Sequence, residues 1–167
     1  MRRARRPIVY LKAVNTMPIR CEIVSQDRMV FQGDADMVIV PGVLGEMGIL
    51  PNHAPLLSTL KFGILKVRFQ GREDVFTVAG GVVEVQPDII TVLADAAENV
   101  QEIDVARAEA ARRRAEEFLQ TGPPPDTDTY LVMEAALRRS NLRLEAAQRY
   151  RRGQPTRSLD RGEGETK

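Results

Sequence analysis

Tryptophan is absent from this 167-residue chain, and cysteine and histidine occur once each, as Cys21 and His53. A single cysteine excludes a disulfide framework and, with a single histidine, a Cys/His zinc site. A cytosolic-type compartment is the simplest reading. Aromatic residues make up only 5% of the chain and are not interleaved with a basic surface, so no stacking platform for nucleic acid is expected. The net charge of +1 gives no global field toward nucleic acid or an anionic membrane. No apolar run approaches the roughly 20 residues of a membrane span, so any membrane association is expected to run through a partner. The GxxxxGK[ST] loop of a P-loop nucleoside triphosphatase is missing. So is a GxSxG turn, which leaves His53, within GILPNHAPLL, a loop histidine with local hydrogen bonds rather than a catalytic base. The acids Asp34/Asp36 and Asp95/Glu98 read as solvated strand ends rather than acid/base pairs. The expectation is a part, not an enzyme, with no catalytic residue, no metal and no required cofactor.

What is present falls into two halves with different periods. Residues 1–16 carry Arg2, Arg3, Arg5 and Arg6 and no acid, with Pro7 interrupting any helix. They are expected to form a disordered basic extension, with Met17 a candidate original start. Residues 17–100 then read as short strands rich in β-branched residues: Ile19 to Ser25, Asp36 to Val40, Ile64 to Gln70, Asp74 to Ala79, Val82 to Gln86 and Ile89 to Ala94. Gln70-Gly71-Arg72 and Gln86-Pro87-Asp88 read as hairpin turns. This spacing predicts a β-sandwich of short antiparallel strands. Residues 101–152 change to a helical period. Ala108, Ala111, Ala115 and Phe118 form a seam on one helix, Glu102 to Gln120, and Met133, Leu137, Ser140, Leu144 and Ala147 a matching seam on a second, Tyr130 to Arg152. Pro123 to Pro125 end the first helix, so the two are expected to be an antiparallel hairpin. Its Ala-rich seams are narrow, which makes a second position for it physically plausible. Residues 153–167 are expected to be a disordered tail.

The stretch IDVARA, Ile103 to Ala108, opens the helical half. Asp104 is a favoured N-cap residue, Ile103 and Ala108 occupy hydrophobic-staple positions, and Asp104 can pair with Arg107 on the surface. None of this requires a ligand.

Three segments carry a family resemblance: GEMGILPNHAPLLSTLKFGIL (Gly45 to Leu65), FTVAGGVVEVQPDIITVLADAAE (Phe76 to Glu98) and EIDVARAEAARRRAEE (Glu102 to Glu117). In that order they resemble the F-type ATP synthase epsilon subunit over roughly Met17 to Arg152. The first looks like the family's GELGILPGHAPLLT signature and the second like its GGFLEVQPNKVTVLADTAE segment. The resemblance implies a non-catalytic rotor subunit of the central stalk, peripheral on the cytoplasmic face of the bacterial plasma membrane. Its sandwich would bind the gamma subunit and rest on the c-ring, with Glu46, in the family's c-ring loop, and His53 near the same rim. VPGVLGEMG departs from the family's usual TGSEGELG, with Val43 and Leu44 where polar residues are common. The hairpin would regulate ATP hydrolysis at the alpha/beta hexamer. Its second helix carries Arg138, Arg139, Arg143, Arg149, Arg151 and Arg152 against Glu134 and Glu145, an excess that needs solvent or an acidic partner. The resemblance also implies a regulatory ATP site: IDVARA fits the family's I(L)DxxRA motif. Glu98, Ile103, Asp104, Arg107, Ala108 and Arg114 fall on one side of that site, Arg139 and Arg143 on the other. Arg107 and Arg114 lie two turns apart and Arg139 and Arg143 one, so a hairpin could gather four forked donors around a triphosphate. The alternatives are a free-standing nucleotide-binding sensor and, through His53, a hydrolase.

Overall fold

The computed structural model describes residues 17–121 and 127–151. The basic extension, Pro123 to Pro125, Arg152 and the tail therefore lie outside the described residues. Strands β1 (Ile19–Ser25), β2 (Met29–Ala35), β3 (Met37–Gly42), β4 (Gly45–Ile49), β5 (Leu56–Thr59), β6 (Gly63–Phe69), β7 (Arg72–Val78), β8 (Gly81–Val85), β9 (Ile89–Ala94) and β10 (Ala97–Asn99) come first. A 3₁₀ turn (Val100–Glu102) leads to helices α1 (Val105–Gln120) and α2 (Thr127–Tyr150). The strands form two five-stranded sheets, ordered β2-β1-β9-β8-β5 and β10-β7-β6-β3-β4. The expected architecture, a β-sandwich followed by two packed helices, is the one observed. Neighbouring strands are antiparallel except β1 and β9, which pair in parallel. No hairpin joins those two; the chain passes through the second sheet between them, so a parallel pairing is sterically available.

Period-two alternation builds the core. Ile19, Cys21 and Ile23 of β1 point inward to join Leu65, Phe76, Val83, Ile90 and Val92, all at most 1% exposed. Phe31 meets Phe76 edge to face, 5.4 Å between ring centroids. Burial, with a smaller contribution from the neighbouring Glu22 carboxylate, pushes the Cys21 thiol up to about 12. The β6–β7 hairpin turns on Gln70 (φ 49°) and Gly71 (φ 75°). Two consecutive positive φ values define the type I′ turn, whose twist matches the flanking strands.

Four strands are not apparent in the sequence pattern. In β2 the interior Gly33 weakens the strand signal, and β4, with two glycines in five residues, reads as a loop. Glu46 therefore stands on a strand rather than in a loop, opposite Pro41 in the β3–β4 pair. Both β5 and β10 are shorter than the window that periodicity needs.

The helical half also differs in detail. Glu102 belongs to the 3₁₀ turn, and α1 begins at Val105, capped by Asp104. Ala108, Ala115 and Ser140 are buried, while Ala111, Phe118, Met133, Leu137 and Leu144 are only half-buried. Ala147 is buried as well. It packs with Ala146 against Val75, Val100 and Ile103 in a second, smaller core. The helix α2 is thus contacted from two sides, by α1 and by the sandwich, which a one-seam reading of its sequence overlooks.

Two outcomes follow from this packing. Phe76→Ala is expected to lower stability by about 3–5 kcal/mol, while Leu57→Ala on the outer face stays within about 0.5 kcal/mol, both read from urea midpoints. Cys21 is expected to resist a thiol-disulfide reagent at pH 8 in the native protein and to react fully in denaturant.

Candidate functional site

The second sheet is covered on its inner face and over part of its outer face. Its inner face meets the first sheet; on its outer face Ile64, Thr77 and Glu98 stand side by side in register across β6, β7 and β10. Because α2 lies over that face, Val75, Phe76, Thr77 and Val78 are all buried, although they alternate between faces. This places Glu98 under α2. Arg143 Nε donates to Glu98 Oε2 at 2.7 Å, and the Thr77 hydroxyl donates to the Glu98 backbone carbonyl at 3.4 Å. The two side chains of the ion pair are 36% and 23% exposed, so the pair contributes about 1 kcal/mol rather than the value of a dry one.

Glu98, Arg139 and Arg143 line one small cavity with Thr77, Ala97 and Leu142. Its volume of about 10 Å³ has room for one water molecule. Arg139 is half-buried there, and its guanidinium has no hydrogen bond or ion pair among the described residues. The other residues singled out for nucleotide binding have separate places. Ile103 and Ala108 are buried structural side chains. Asp104 Oδ1 accepts from the Arg107 backbone N–H at 2.9 Å, so its carboxylate is engaged as the helix cap. Arg107 and Arg114 stand on the exposed face of α1. The structure thus brings three of the eight residues into contact with one cavity.

The basic residues of α2 are also differentiated. Arg138 pairs with Glu134 one turn back. Arg149 lies 5.3 Å from the Tyr150 ring centroid, and Lys66 of the sandwich approaches the same ring at 5.2 Å. Arg151 Nη2 donates to the Gln101 carbonyl at 3.2 Å. A larger cleft, about 290 Å³, runs between Glu46, Phe62 and Ile64 of the sandwich and Leu142, Arg149 and Tyr150 of α2. Glu46 therefore shares a cleft with the end of the hairpin. Sequence reasoning missed this; the only available signal was an aromatic residue, Tyr150, closing a basic helix.

His53 is half-buried and local in its bonds. Its Nδ1 lies 2.8 Å from the Ala54 carbonyl, which can only accept, so Nδ1 carries the proton. At the β3–β4 tip Val43 and Leu44 are exposed. Asp36 accepts from the Gln70 backbone N–H at 2.6 Å, a structural contact. No group of metal-ligating side chains occurs among the described residues, and none of their helices is long and apolar enough to cross a membrane.

A β-sandwich with a helical hairpin docked on one sheet, and a charged joint between them, defines a class of binding module whose two parts share an interface. Its two parts match two family models in turn, the beta-sandwich domain of the ATP synthase delta/epsilon chain over residues 18–100 and its long alpha-helix domain over residues 101–148. The chain belongs to the ATP synthase delta/epsilon chain family, non-catalytic subunits of that complex. It is 53% identical over 100 residues to the ATP synthase epsilon chain of Pelotomaculum thermopropionicum, covering 60% of this chain and 75% of that one. Against the epsilon chain of Dehalococcoides mccartyi it is 42% identical over 134 residues, covering 80% and 95%. Among solved structures it is similar to a chain in the Euglena gracilis mitochondrial ATP synthase OSCP/F1/c-ring complex. That match has a TM-score of 0.64 and 26% identity, over 87% of this chain and 91% of that one. A chain of the Tetrahymena thermophila mitochondrial ATP synthase central stalk and c-ring shares the fold at TM-score 0.51 and 14% identity, over 80% and 99%.

Ala147→Glu would bury an unpaired carboxylate in the joint. The expected outcome is faster proteolysis within α2 with an unchanged melting transition of the sandwich, read by limited digestion and calorimetry.

Proposed function

We propose that this chain is the rotor subunit of the central stalk in a proton-translocating ATP synthase, joining the gamma subunit to the c-ring. The observation that carries this reading is the match of both halves, in order, to the delta/epsilon chain domains, with a likeness at 26% identity to a chain in an F1/c-ring complex. The surfaces support it. The first sheet's outer face is uncovered by the hairpin, and a row of Val82, Leu93, Val24 and Met29 crosses it in register, with Leu57 nearby and 71% exposed. A flat, partly apolar sheet face of this kind suits a protein partner, and we assign it to gamma. The rim holding Glu46, with exposed Val43 and Leu44, is assigned to the c-ring, and His53 to the same end. Association with the cytoplasmic face of a bacterial plasma membrane then comes through the complex alone.

The hairpin is assigned the regulatory role at the alpha/beta hexamer, through Arg138, Arg139, Arg143 and Arg149. ATP is assigned as a regulatory ligand that stabilises the docked hairpin. What supports this is the cavity shared by Glu98, Arg139 and Arg143; Arg107 and Arg114 stand exposed on α1, the helix packed against α2. A ligand bound only to the docked form stabilises it by about 2.7 kcal/mol at a hundredfold excess over Kd, enough to move an even balance to about 1% released. The cavity must widen to take a nucleotide, so binding is expected to be accompanied by a shift of α2.

Calorimetric titration of ATP into the purified chain, repeated with Arg107→Ala and Arg139→Ala, tests the site. Saturable binding weakened at least tenfold in both variants is expected. Absence of binding at millimolar ATP would remove the nucleotide from the proposal. Capture of the gamma subunit, weakened by Leu93→Asp, tests the rotor assignment separately; equal capture by both proteins would move gamma off this face.

A further inference from the structure

We propose that Glu98 is an internal anion: it holds Arg143 and fastens α2 while no ligand is bound, and it yields Arg143 to a polyphosphate. This rests on the nucleotide reading above and changes one part of it, because Glu98, placed there among the residues that bind ATP, becomes a competitor of the ligand instead.

The cavity under α2 carries an unequal set of charges. Among its lining residues Glu98 is the only carboxylate, while Arg139 and Arg143 bring two guanidinium groups; Thr77, Ala97 and Leu142 are neutral. Glu98 satisfies one of the two arginines, at 2.7 Å. Arg139, one helical turn away and half-buried, is left without a partner among the described residues. A half-buried guanidinium with no acceptor beside one already satisfied is an anion deficit of one charge.

A polyphosphate corrects that deficit. Its first oxygens meet Arg139, which has nothing to release. Further oxygens then compete with Glu98 for the fork of Arg143, where phosphate offers more acceptors than one carboxylate. The displaced carboxylate has an easy exit, since its side chain is already 23% exposed. Its backbone does not need to move: β10 is held in register with β7, and the Thr77 hydroxyl binds the Glu98 carbonyl. The exchange therefore reduces to a side-chain rotation plus a widening of the cavity by α2. In the ligand-free state the same ion pair fastens α2 to the sheet, beside the Ala146/Ala147 contact. One arginine thus serves two mutually exclusive fastenings, an internal one and a liganded one.

The test uses the full chain and Glu98→Gln, a variant of equal size that removes the charge. Inorganic tripolyphosphate and ATP are each titrated calorimetrically. The proposal predicts that Glu98→Gln tightens both by about fivefold, the scale of one half-exposed charge pair. Weaker ATP binding with tripolyphosphate unchanged would make Glu98 a nucleoside contact and overturn the proposal, leaving the nucleotide site intact. Equal affinities in both proteins would overturn it as well. If neither protein binds either probe at millimolar concentration, the nucleotide reading falls, and hydrogen exchange without ligand decides the fastening. Several-fold faster exchange between Leu142 and Ala147 in Glu98→Gln would uphold it; identical exchange would remove it.

Discussion

The contact of α2 with the outer face of the second sheet is the constraint on which the rest of the molecule depends. Its buried centre holds two alanines of α2, with Ile64 and Tyr150 packed half-buried around them. Ala146 and Ala147 bring the helix backbone close to Val75, and Val100 and Ile103 fill the gap from the connecting turn. Because these side chains are small, close approach is bought with little apolar area: burying a methyl group stabilises by about 1 kcal/mol, whereas a Leu or Phe in the same place would give about two to three times as much. The joint is close-fitting and weak together. That combination suits a part whose partners are to compete for it.

The two sheets differ for the same reason. The second is covered on both faces where α2 crosses it, so all of VFTV in β7 is buried, the Thr77 hydroxyl included, while β9 of the first sheet alternates clearly and leaves Leu93 half in solvent. An alternating strand announces which face is free. A continuous apolar strand says only that something covers it. Here the cover is a helix some 60 residues further along, so the covered and uncovered sheets were both visible in the sequence while the identity of the cover was not.

Legibility followed the same division throughout. Strands with β-branched alternation, such as Ile19–Ser25 and Ile89–Ala94, could be placed to the residue, as could the Asp104 cap, because their signals are local. The strands at Gly45–Ile49 and Ala97–Asn99 could not, because glycine or brevity removes local preference and only sheet pairing makes them strands. The candidate site shows the same limit. Helical spacing sets Arg139 beside Arg143, but the meeting of Arg143 with Glu98 spans 45 positions and depends on how α2 sits on β10. Nothing in the periodicity of either element encodes it. Nor could spacing show that Ala146, outside the expected seam, is buried in one core with Val75 of the sandwich.

The charges at the joint sharpen the consequence of a weak apolar contact. Arg28 with Glu102, Arg143 with Glu98 and Arg151 with the Gln101 carbonyl tie the joint and its connecting turn, each at least partly exposed to water. Individually such contacts contribute at most about 1 kcal/mol, and salt screens them. Were the hairpin held by a large hydrophobic seam, no ligand of ordinary affinity could shift it; were it held by nothing, no ligand would be needed. Beside the apolar contact, the partly exposed ion pairs give the joint an electrostatic share of a few kcal/mol at most. That is the range that one bound anion or one partner surface can cover. The electrostatic contacts also set where control can enter, because a charge pair can be exchanged for another anion without unpacking the core. An apolar contact offers no such substitution. The function of the hairpin is therefore written less in what stabilises it than in how replaceable each of its fastenings is.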